Sequence, residues 1–226
     1  MTSQTIVITG ASRGIGRGLA EDYLASGWHV VATVRRSADR ASLAEAGAEV
    51  VTLEVTDPGS VHGLAVHLED RPIDVLVNNA GTKGPAVQTS FEMDFEGFAR
   101  ALAVNTLGPL RVTQALLPNL RAGHTGRVVN VSSRMGSLSY AKSDTVAYRA
   151  SKAALNKVTQ CQATDLAPFG IAVAAVHPGW VRTDLGGHDA DLDVATSVAG
   201  LRSVIDGLTL ASTGSFLDHD GSPLAW

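Results

Sequence analysis

The sequence is poor in cysteine and in aromatic residues, with Cys161 as its only cysteine and an aromatic content of 5%. A single cysteine excludes an internal disulfide and is typical of a reducing compartment. No apolar run reaches the roughly 20 residues that a membrane-spanning helix needs, and the first residues, MTSQTIVITG, lack the pattern of a secretory leader. We therefore expect a cytoplasmic protein that does not interact with membranes.

Positive charge is also scarce, since 18 Lys and Arg residues are mixed among 22 Asp and Glu residues. Without a basic stripe to attract phosphate backbones, we expect no nucleic-acid partner. The seven histidines are dispersed. His188 is followed by several aspartates, but the glycine and glutamate of a calcium loop are missing, so we predict no metal site.

Seven short apolar runs rich in β-branched residues recur along the chain, from TIVITG near Thr5 to GSFLDHDG near its end. Their nearly continuous apolar character is typical of strands that are covered on both faces. Helical patterns lie between them, including Gly16 to Ala25 and Ala147 to Ala167. This alternation predicts a single α/β domain over residues 1–226, with a Rossmann-type doubly wound parallel sheet of about seven strands flanked by helices.

The least regular segment is PGWVRTDLGGHDADLDVA, which begins at Pro178. It is polar, contains glycine and is too long for an ordinary connection between a strand and a helix. Loops of this length in compact domains tend to be functional. We predict a short substrate lid at about residues 179–200.

Three glycines, Gly10, Gly14 and Gly16, follow the first predicted strand, and a helix is expected to begin at about Gly14. The unpaired N–H groups at a helix N-terminus attract phosphate, and glycine allows a pyrophosphate to approach the backbone closely. This turn predicts a dinucleotide site, although three glycines alone are also compatible with a tight strand–helix turn.

Further motifs lie where the predicted strands end or the next helix begins: NNAG at 78–81, NVSS at 130–133 and YRASK at 148–152. In an open α/β sheet the ligand crevice lies beyond the carboxyl ends of the strands, so these motifs should converge. Together with TGASRGIG, AVNTLGPL and HPGWVRTDL, they make the chain resemble the short-chain dehydrogenases/reductases over nearly its whole length. The short lid and the C-terminal segment resemble, less specifically, the small C-factor-like and sniffer-like carbonyl reductase branch.

Tyr148 and Lys152 are four residues apart on a predicted helix and therefore share one face. A nearby ammonium should lower the pKa of the Tyr148 phenol. Hydride transfer to a ketone needs a proton donor and a second hydrogen bond at the carbonyl oxygen, for which Tyr148 and Ser133 are suited. The resemblance implies these catalytic roles for Ser133, Tyr148 and Lys152, and it adds Asn105 as a residue that holds a water relay to the lysine.

The second predicted strand ends at Val34 and is followed by Arg35 and Arg36, without the carboxylate that usually selects NAD. Arg13 in the glycine turn is a second basic residue, and guanidinium groups suit phosphate. We therefore predict NADP(H) rather than NAD(H). The resemblance also places Glu54 near adenine, with Asp57 either capping the next helix or touching adenine itself.

The cofactor-binding residues predicted from the glycine turn and the arginines, or implied by the resemblance, lie in that turn, after the second to fourth strands, on the predicted catalytic helix and at the start of the predicted lid. They are Gly10, Ser12, Arg13, Gly14, Ile15, Gly16, Arg35, Glu54, Val55, Asn79, Ala80, Gly81, Tyr148, Lys152, Pro178, Gly179, Val181 and Thr183.

These features predict an NADP(H)-dependent oxidoreductase that interconverts a small-molecule carbonyl and its alcohol. Two alternatives stay open: an NADP-binding regulatory or signalling protein with little turnover, and an NAD-dependent alcohol dehydrogenase. The helical patterns at Asn105 to Leu120 and Ala147 to Ala167 are suited to pack against a second copy. We expect a homodimer or homotetramer.

Overall fold

The computed structural model describes residues 4–226, which form seven strands and eight α-helices in alternation. The strands are β1 Thr5–Ile8, β2 His29–Val34, β3 Glu49–Thr52, β4 Val75–Asn78, β5 Arg127–Val131, β6 Ala172–His177 and β7 Ser215–Asp218. The helices are α1 Gly14–Ala25, α2 Ala41–Glu45, α3 Pro58–Leu68, α4 Phe95–Leu102, α5 Gly108–Ala115, α6 Leu117–Ala122, α7 Val146–Leu166 and α8 Val194–Gly207. Short 3-10 turns cover Ser37–Asp39, Arg134–Gly136, Ala167–Phe169 and Leu210–Ser212, and a π-helical turn covers Ala103–Leu107.

The strands form one sheet in the order β3-β2-β1-β4-β5-β6-β7, and each neighbouring pair is parallel. The chain runs outward from β1 to β3 and then returns to the other side of β1 at β4. This reversal opens a crevice at the carboxyl ends of β1 and β4, where ligands bind in such sheets. The doubly wound fold predicted from the sequence is confirmed.

Two apolar cores cover the two faces of the sheet, because successive side chains of a strand point to opposite faces. On one face Ile6 packs in a cluster with Leu19 of α1 and Leu201 of α8. On the other face the neighbouring Val7 packs with Val112 of α5. Each such aliphatic side chain contributes about 1.5–3 kcal/mol when it is fully buried. The sheet, packed on both faces, therefore holds the ends of the loops at its carboxyl edge in fixed positions.

Local sequence determines where several helices begin and end. Asp57 caps α3, since its carboxylate accepts hydrogen bonds from the N–H groups of Gly59 at 3.0 Å and Ser60 at 3.3 Å. Pro58 occupies the first helical position, as predicted. After α7 and a 3-10 turn, Gly170 adopts a left-handed conformation with φ 77° and ends the helical segment.

The helix predicted from Asn105 to Leu120 is interrupted. Pro109 has no N–H to donate to the main-chain carbonyl of Asn105, so regular α-helical bonding cannot continue through this point. The chain forms the π-helical turn Ala103–Leu107 instead, and α6 begins separately around Pro118. Asn105 therefore lies in an irregular turn rather than in a regular helix.

The predicted lid at 179–200 is too long, because its last residues belong to α8. Asp193 caps that helix by accepting from the Thr196 N–H at 2.8 Å. A Cβ at Gly18 of α1 would lie 2.8 Å from Val198 and 2.9 Å from Val194, so the glycine lets α8 pack closely. The irregular loop ends at residue 193.

Within residues 4–226, no helix has both the length and the apolar character that crossing a membrane requires.

Candidate active site

Ser133, Tyr148 and Lys152 meet at the carboxyl end of β5, as the sequence motifs predicted. Ser133 is the second residue after the strand, and its hydroxyl accepts from the Met135 N–H at 3.1 Å. Its interaction with Tyr148 lowers the pKa of that phenol. The Lys152 Nζ lies 5.9 Å from the centroid of the Tyr148 ring and donates to the Val131 carbonyl at 2.8 Å. The three side chains form one buried polar group.

Burial governs the charge of this group. Desolvation raises the pKa of Tyr148 above its ordinary value of 10.0 and outweighs the hydrogen bond from Ser133, which lowers it. Desolvation also lowers the pKa of Lys152 to about 8. The raised pKa of Tyr148 is opposite to the sequence-based expectation, because burial is the larger effect and the lysine ammonium is directed to a main-chain carbonyl. The phenol is therefore fully protonated at neutral pH.

Asn105 is completely buried and links two segments of the site. Its Nδ2 donates to the Thr82 carbonyl at 2.8 Å and to the Ser151 hydroxyl at 2.9 Å, while its Oδ1 accepts from the Thr82 N–H at 2.8 Å. A Cβ at Gly81 would lie 3.3 Å from this Oδ1 and 3.8 Å from the Lys152 Nζ. Asn105 therefore holds the segment after NNAG beside α7.

The glycine turn packs directly against the NNAG motif. Gly10 has φ +69°, and a Cβ there would lie 2.9 Å from the Ala80 Cα. A Cβ at Gly16 would meet the amide nitrogen of Asn79 and would lie 2.6 Å from the Gly10 carbonyl oxygen. Asn79 itself donates to the Thr9 and Gly10 carbonyls at 2.9 and 3.0 Å. Gly10 and Gly16 are thus needed for close packing of the protein itself.

The start of α1 fits the pyrophosphate of a dinucleotide. Arg13 is the N-cap residue, and its side chain makes no capping hydrogen bond. Within residues 4–226, no side chain binds the N–H groups of Gly14 or Ile15. Free N–H groups at a helix N-terminus are suited to bind phosphate oxygens. Ser12 is half-buried beside them in the same turn.

The three arginines considered for phosphate recognition differ in their partners. Arg13 forms an exposed ion pair with Asp184 of the lid, and Arg36 pairs with Asp39 at 3.2 Å. Arg35 is exposed at the end of β2 and has no ion-pair partner among the described residues. Arg35 is therefore the arginine best placed to meet a ligand phosphate near that strand.

The predicted adenine contacts are partly occupied by the protein. The Glu54 carboxylate accepts from the Thr56 N–H at 3.1 Å and from its hydroxyl at 2.8 Å. Val55 is buried, and its carbonyl accepts from Arg111 at 2.7 Å. These bonds fix the loop after β3 at the edge of the crevice.

The start of the predicted lid lies against the glycine turn. Gly179 has φ +83°, and Val181 forms an isolated parallel bridge with Leu192. Thr183 accepts a hydrogen bond from the Gly186 N–H at 3.1 Å, and a Cβ at Gly14 would lie 3.2 Å from its methyl group. The Pro178 carbonyl accepts from Ser197 of α8 at 2.6 Å. The lid segment 178–193 is thus internally bonded and borders the proposed phosphate site.

A charged cluster next to Ser133, formed by Arg134, Asp218 and His219, was not predicted from the sequence. Arg134 donates to Asp218 at 2.5 Å, and Asp218 is also bonded to the His219 ring at 2.7 Å. Burial lowers the pKa of the adjacent His177 to about 4, so this ring is neutral. Arg134 and Asp218 are 84 residues apart, and no local pattern indicates their contact.

Comparison with known proteins supports the family suggested by the motifs. The family described as short chain dehydrogenase matches residues 4–191. The C-signal protein of Myxococcus xanthus is 48% identical over 157 residues, which cover 69% of this chain and 93% of that protein.

Two solved structures have nearly the same fold over the whole chain. The NADPH-bound carbonyl reductase from chicken fatty liver has a TM-score of 0.91 and 33% identity, with 100% of both chains covered. The carbonyl reductase Sniffer of D. melanogaster has a TM-score of 0.91 and 30% identity, with 99% of this chain and 100% of that chain covered. The chain belongs to the short-chain dehydrogenase family of oxidoreductases.

Proposed function

We propose that this protein is an NADP(H)-dependent carbonyl reductase or alcohol dehydrogenase, in which Tyr148 transfers the proton. The observation that carries the proposal is the burial of Tyr148 together with Ser133 and Lys152, beside a glycine turn suited to pyrophosphate. A protein that only binds a nucleotide has no need of a buried proton donor in this position.

In the reduction, a nicotinamide held by these residues would supply the hydride that the carbonyl carbon accepts. Tyr148 donates its proton to the carbonyl oxygen, and Ser133 donates a second hydrogen bond to the same oxygen as negative charge develops. Lys152, with its pKa lowered to about 8, is poised to return a proton to the phenolate. The resemblance to the family also assigns Lys152 a contact with the nicotinamide ribose and Asn105 a role in the water relay.

The choice of NADP(H) rests on charge. Among residues 4–226, Arg35 at the end of β2 has no ion-pair partner, while Asp39, the nearby carboxylate, is bonded to Arg36. A guanidinium binds a 2′-phosphate, whereas a free carboxylate there would favour NAD. One solved relative, the chicken reductase, is bound to NADPH. The glycine turn, Arg35 and the lid segment from Pro178 to Thr183 would hold the cofactor.

The proposal is tested by following NADPH absorbance with a panel of ketones and aldehydes. We expect wild-type turnover with at least one carbonyl class, and a fall in kcat of about 100-fold or more in Tyr148→Phe. Tyr140→Phe is the matched control, since that tyrosine lies in the neighbouring exposed loop. Equal kcat values for wild type and Tyr148→Phe would refute the assignment.

A second candidate is a regulatory protein that binds NADP with little turnover, which is favoured by the similarity to a protein named C-signal. Tight NADPH binding without turnover of any carbonyl, and without an effect of Tyr148→Phe, would support it. The homo-oligomer and the cytoplasmic location stay predictions, which gel filtration with light scattering and cell fractionation can test.

A further inference from the structure

The catalytic helix α7 begins at a strained turn that lacks a cap of its own. Thr145 is the N-cap residue and has φ 45° and ψ 51°, a left-handed conformation that is unfavourable for a β-branched side chain. Its side chain makes no capping hydrogen bond. The first N–H groups of a helix have no acceptor within the helix. The turn that bears Tyr148 therefore depends on support from elsewhere in the chain.

Gln88, in the loop between β4 and α4, provides that support. Its main-chain carbonyl accepts from the Val146 N–H at 3.0 Å, and its side-chain Oε1 accepts from the Tyr148 N–H at 3.1 Å. Val146 and Tyr148 are the first and third residues of α7. One glutamine, 60 residues away in sequence, thus caps the helix through both its main chain and its side chain.

The orientation of the Gln88 amide is fixed by its other contacts. The side chain is buried, with 6% of its surface exposed. Its Nε2 donates to the Lys83 carbonyl at 3.0 Å and to the Pro85 carbonyl at 2.6 Å. Since two carbonyl oxygens face the nitrogen, the Oε1 must face the Tyr148 N–H.

We infer that Gln88 is a positioning residue for proton transfer, because its amide sets the first turn of α7 and thereby the Tyr148 phenol relative to Ser133. Ser133 is held separately from the first turn of α7, because it lies just after β5 and the turn that follows it packs against Lys152. A shift of the helix start would therefore separate the two hydroxyl groups that act on one carbonyl oxygen. The inference rests on the proposed function of Tyr148.

The contacts of Gln88 distinguish this role from a role in cofactor binding. Its polar side-chain atoms contact Lys83, Pro85 and Tyr148, and none of them contacts the glycine turn at Gly10–Gly16. Loss of the amide should therefore reduce kcat far more than NADPH affinity, because the glycine turn, Arg35 and the lid segment, which supply most of the proposed cofactor contacts, keep their positions. A residue needed only for stability of the whole domain would not separate these two quantities.

The test compares Gln88→Met, in which the side chain keeps its length and loses its polar atoms, with a control. The control is Gln160→Met, which makes the same change on α7 but far from its first turn. We measure kcat, the NADPH dissociation constant and hydrogen exchange of the amides at residues 145–150. For Gln88→Met we expect a 10- to 100-fold fall in kcat, because displacement of about 1 Å has this scale of effect. The NADPH dissociation constant should stay within about twofold, and exchange of the Tyr148 amide should accelerate about fivefold, as for loss of a cap. The control should match wild type in all three.

Wild-type kcat in Gln88→Met, or an equal loss of kcat and NADPH affinity, would overturn the inference. If Gln88→Met does not fold, Gln88→Asn retains an amide that is too short to reach the Tyr148 N–H, and the same separate loss of kcat is expected. Wild-type kcat in that variant would also overturn the inference. A wild-type protein without turnover refutes the proposed function, and the inference falls with it. Turnover that is lost in Tyr148→Phe but kept in Gln88→Met refutes the inference alone.

Discussion

Helices α1 and α7 both begin at the crevice, but their first N–H groups differ in their hydrogen-bond partners. At α1 the backbone turns through Gly10 and Gly14 with φ +69° and +57°, and the N-cap side chain leaves the helix start free. At α7 the turn is made by Thr145 with φ 45°, and Gln88 occupies the N–H groups. The free helix start is suited to bind an anion, whereas the occupied one is suited to hold a side chain in place.

Among substitutions that test this difference between α1 and α7, the largest effect on stability and cofactor affinity is expected from adding a Cβ in the glycine turn. In Gly16→Ala the new Cβ would lie 2.6 Å from the Gly10 carbonyl oxygen and would press on the Asn79 amide. We expect the free energy of unfolding to fall by about 1–3 kcal/mol, as for an overpacked core, and NADPH affinity to fall with it. Denaturant unfolding and NADPH titration measure both.

Gly63→Ala is the matched control, since a Cβ at Gly63 of α3 meets nothing within 4 Å. That change should stabilise the protein by about 0.5–1 kcal/mol, because alanine is the better helix former. If Gly16→Ala is as stable as Gly63→Ala, the close packing of the glycine turn against NNAG is not required.

A smaller effect is expected at the end of β2. Arg35→Asp replaces an exposed guanidinium with a carboxylate, which repels a 2′-phosphate and can bind a ribose hydroxyl. We expect NADPH to bind about 10- to 100-fold more weakly, which corresponds to about 1.4–2.8 kcal/mol, while NADH binds more tightly. Fluorescence titration with both cofactors measures the change.

The double variant Arg36→Gln/Asp39→Asn serves as the control for Arg35→Asp, because it removes the neighbouring ion pair without freeing its carboxylate. Its cofactor affinities should stay close to those of wild type. Unchanged preference in Arg35→Asp would contradict the assignment of Arg35 to the 2′-phosphate and would favour the NAD-dependent alternative.

The smallest effect is expected at Thr145. Relief of its left-handed strain in Thr145→Gly should contribute about 1–2 kcal/mol, which is partly offset by about 0.4–1 kcal/mol because glycine is more flexible in the unfolded chain. We expect the free energy of unfolding to rise by up to about 1.5 kcal/mol, with kcat retained while Gln88 is present. A loss of stability in thermal or denaturant unfolding would show that the turn is not strained.

The elements that local patterns determine were predicted well. The seven strands follow from short apolar runs, the start of α3 from the pair Asp57–Pro58, and the contact of Tyr148 with Lys152 from their helical spacing. Contacts between distant segments were not predictable in this way. The bond from Gln88 to Tyr148 spans 60 residues and that from Arg134 to Asp218 spans 84 residues.

The predicted direction of the Tyr148 pKa shift is wrong for a similar reason, because it depends on contacts between distant segments. The spacing of Tyr148 and Lys152 shows that an ammonium is near, but it does not show how deeply the phenol is buried. Burial depends on the packing of α7 against β5 and on the loop that contains Gln88. Desolvation outweighs the local pair, and only the folded chain reveals it.

The pH dependence of kcat for carbonyl reduction, measured on wild type and Tyr148→Phe, tests the central claim most directly. Burial holds the phenol protonated at neutral pH, and Lys152 loses its proton as the pH rises through about 8. We predict that wild-type kcat is constant below pH 8 and falls above it, and that Tyr148→Phe is slower by about 100-fold or more at neutral pH. Comparable rates for the two proteins throughout this range would contradict proton transfer by Tyr148.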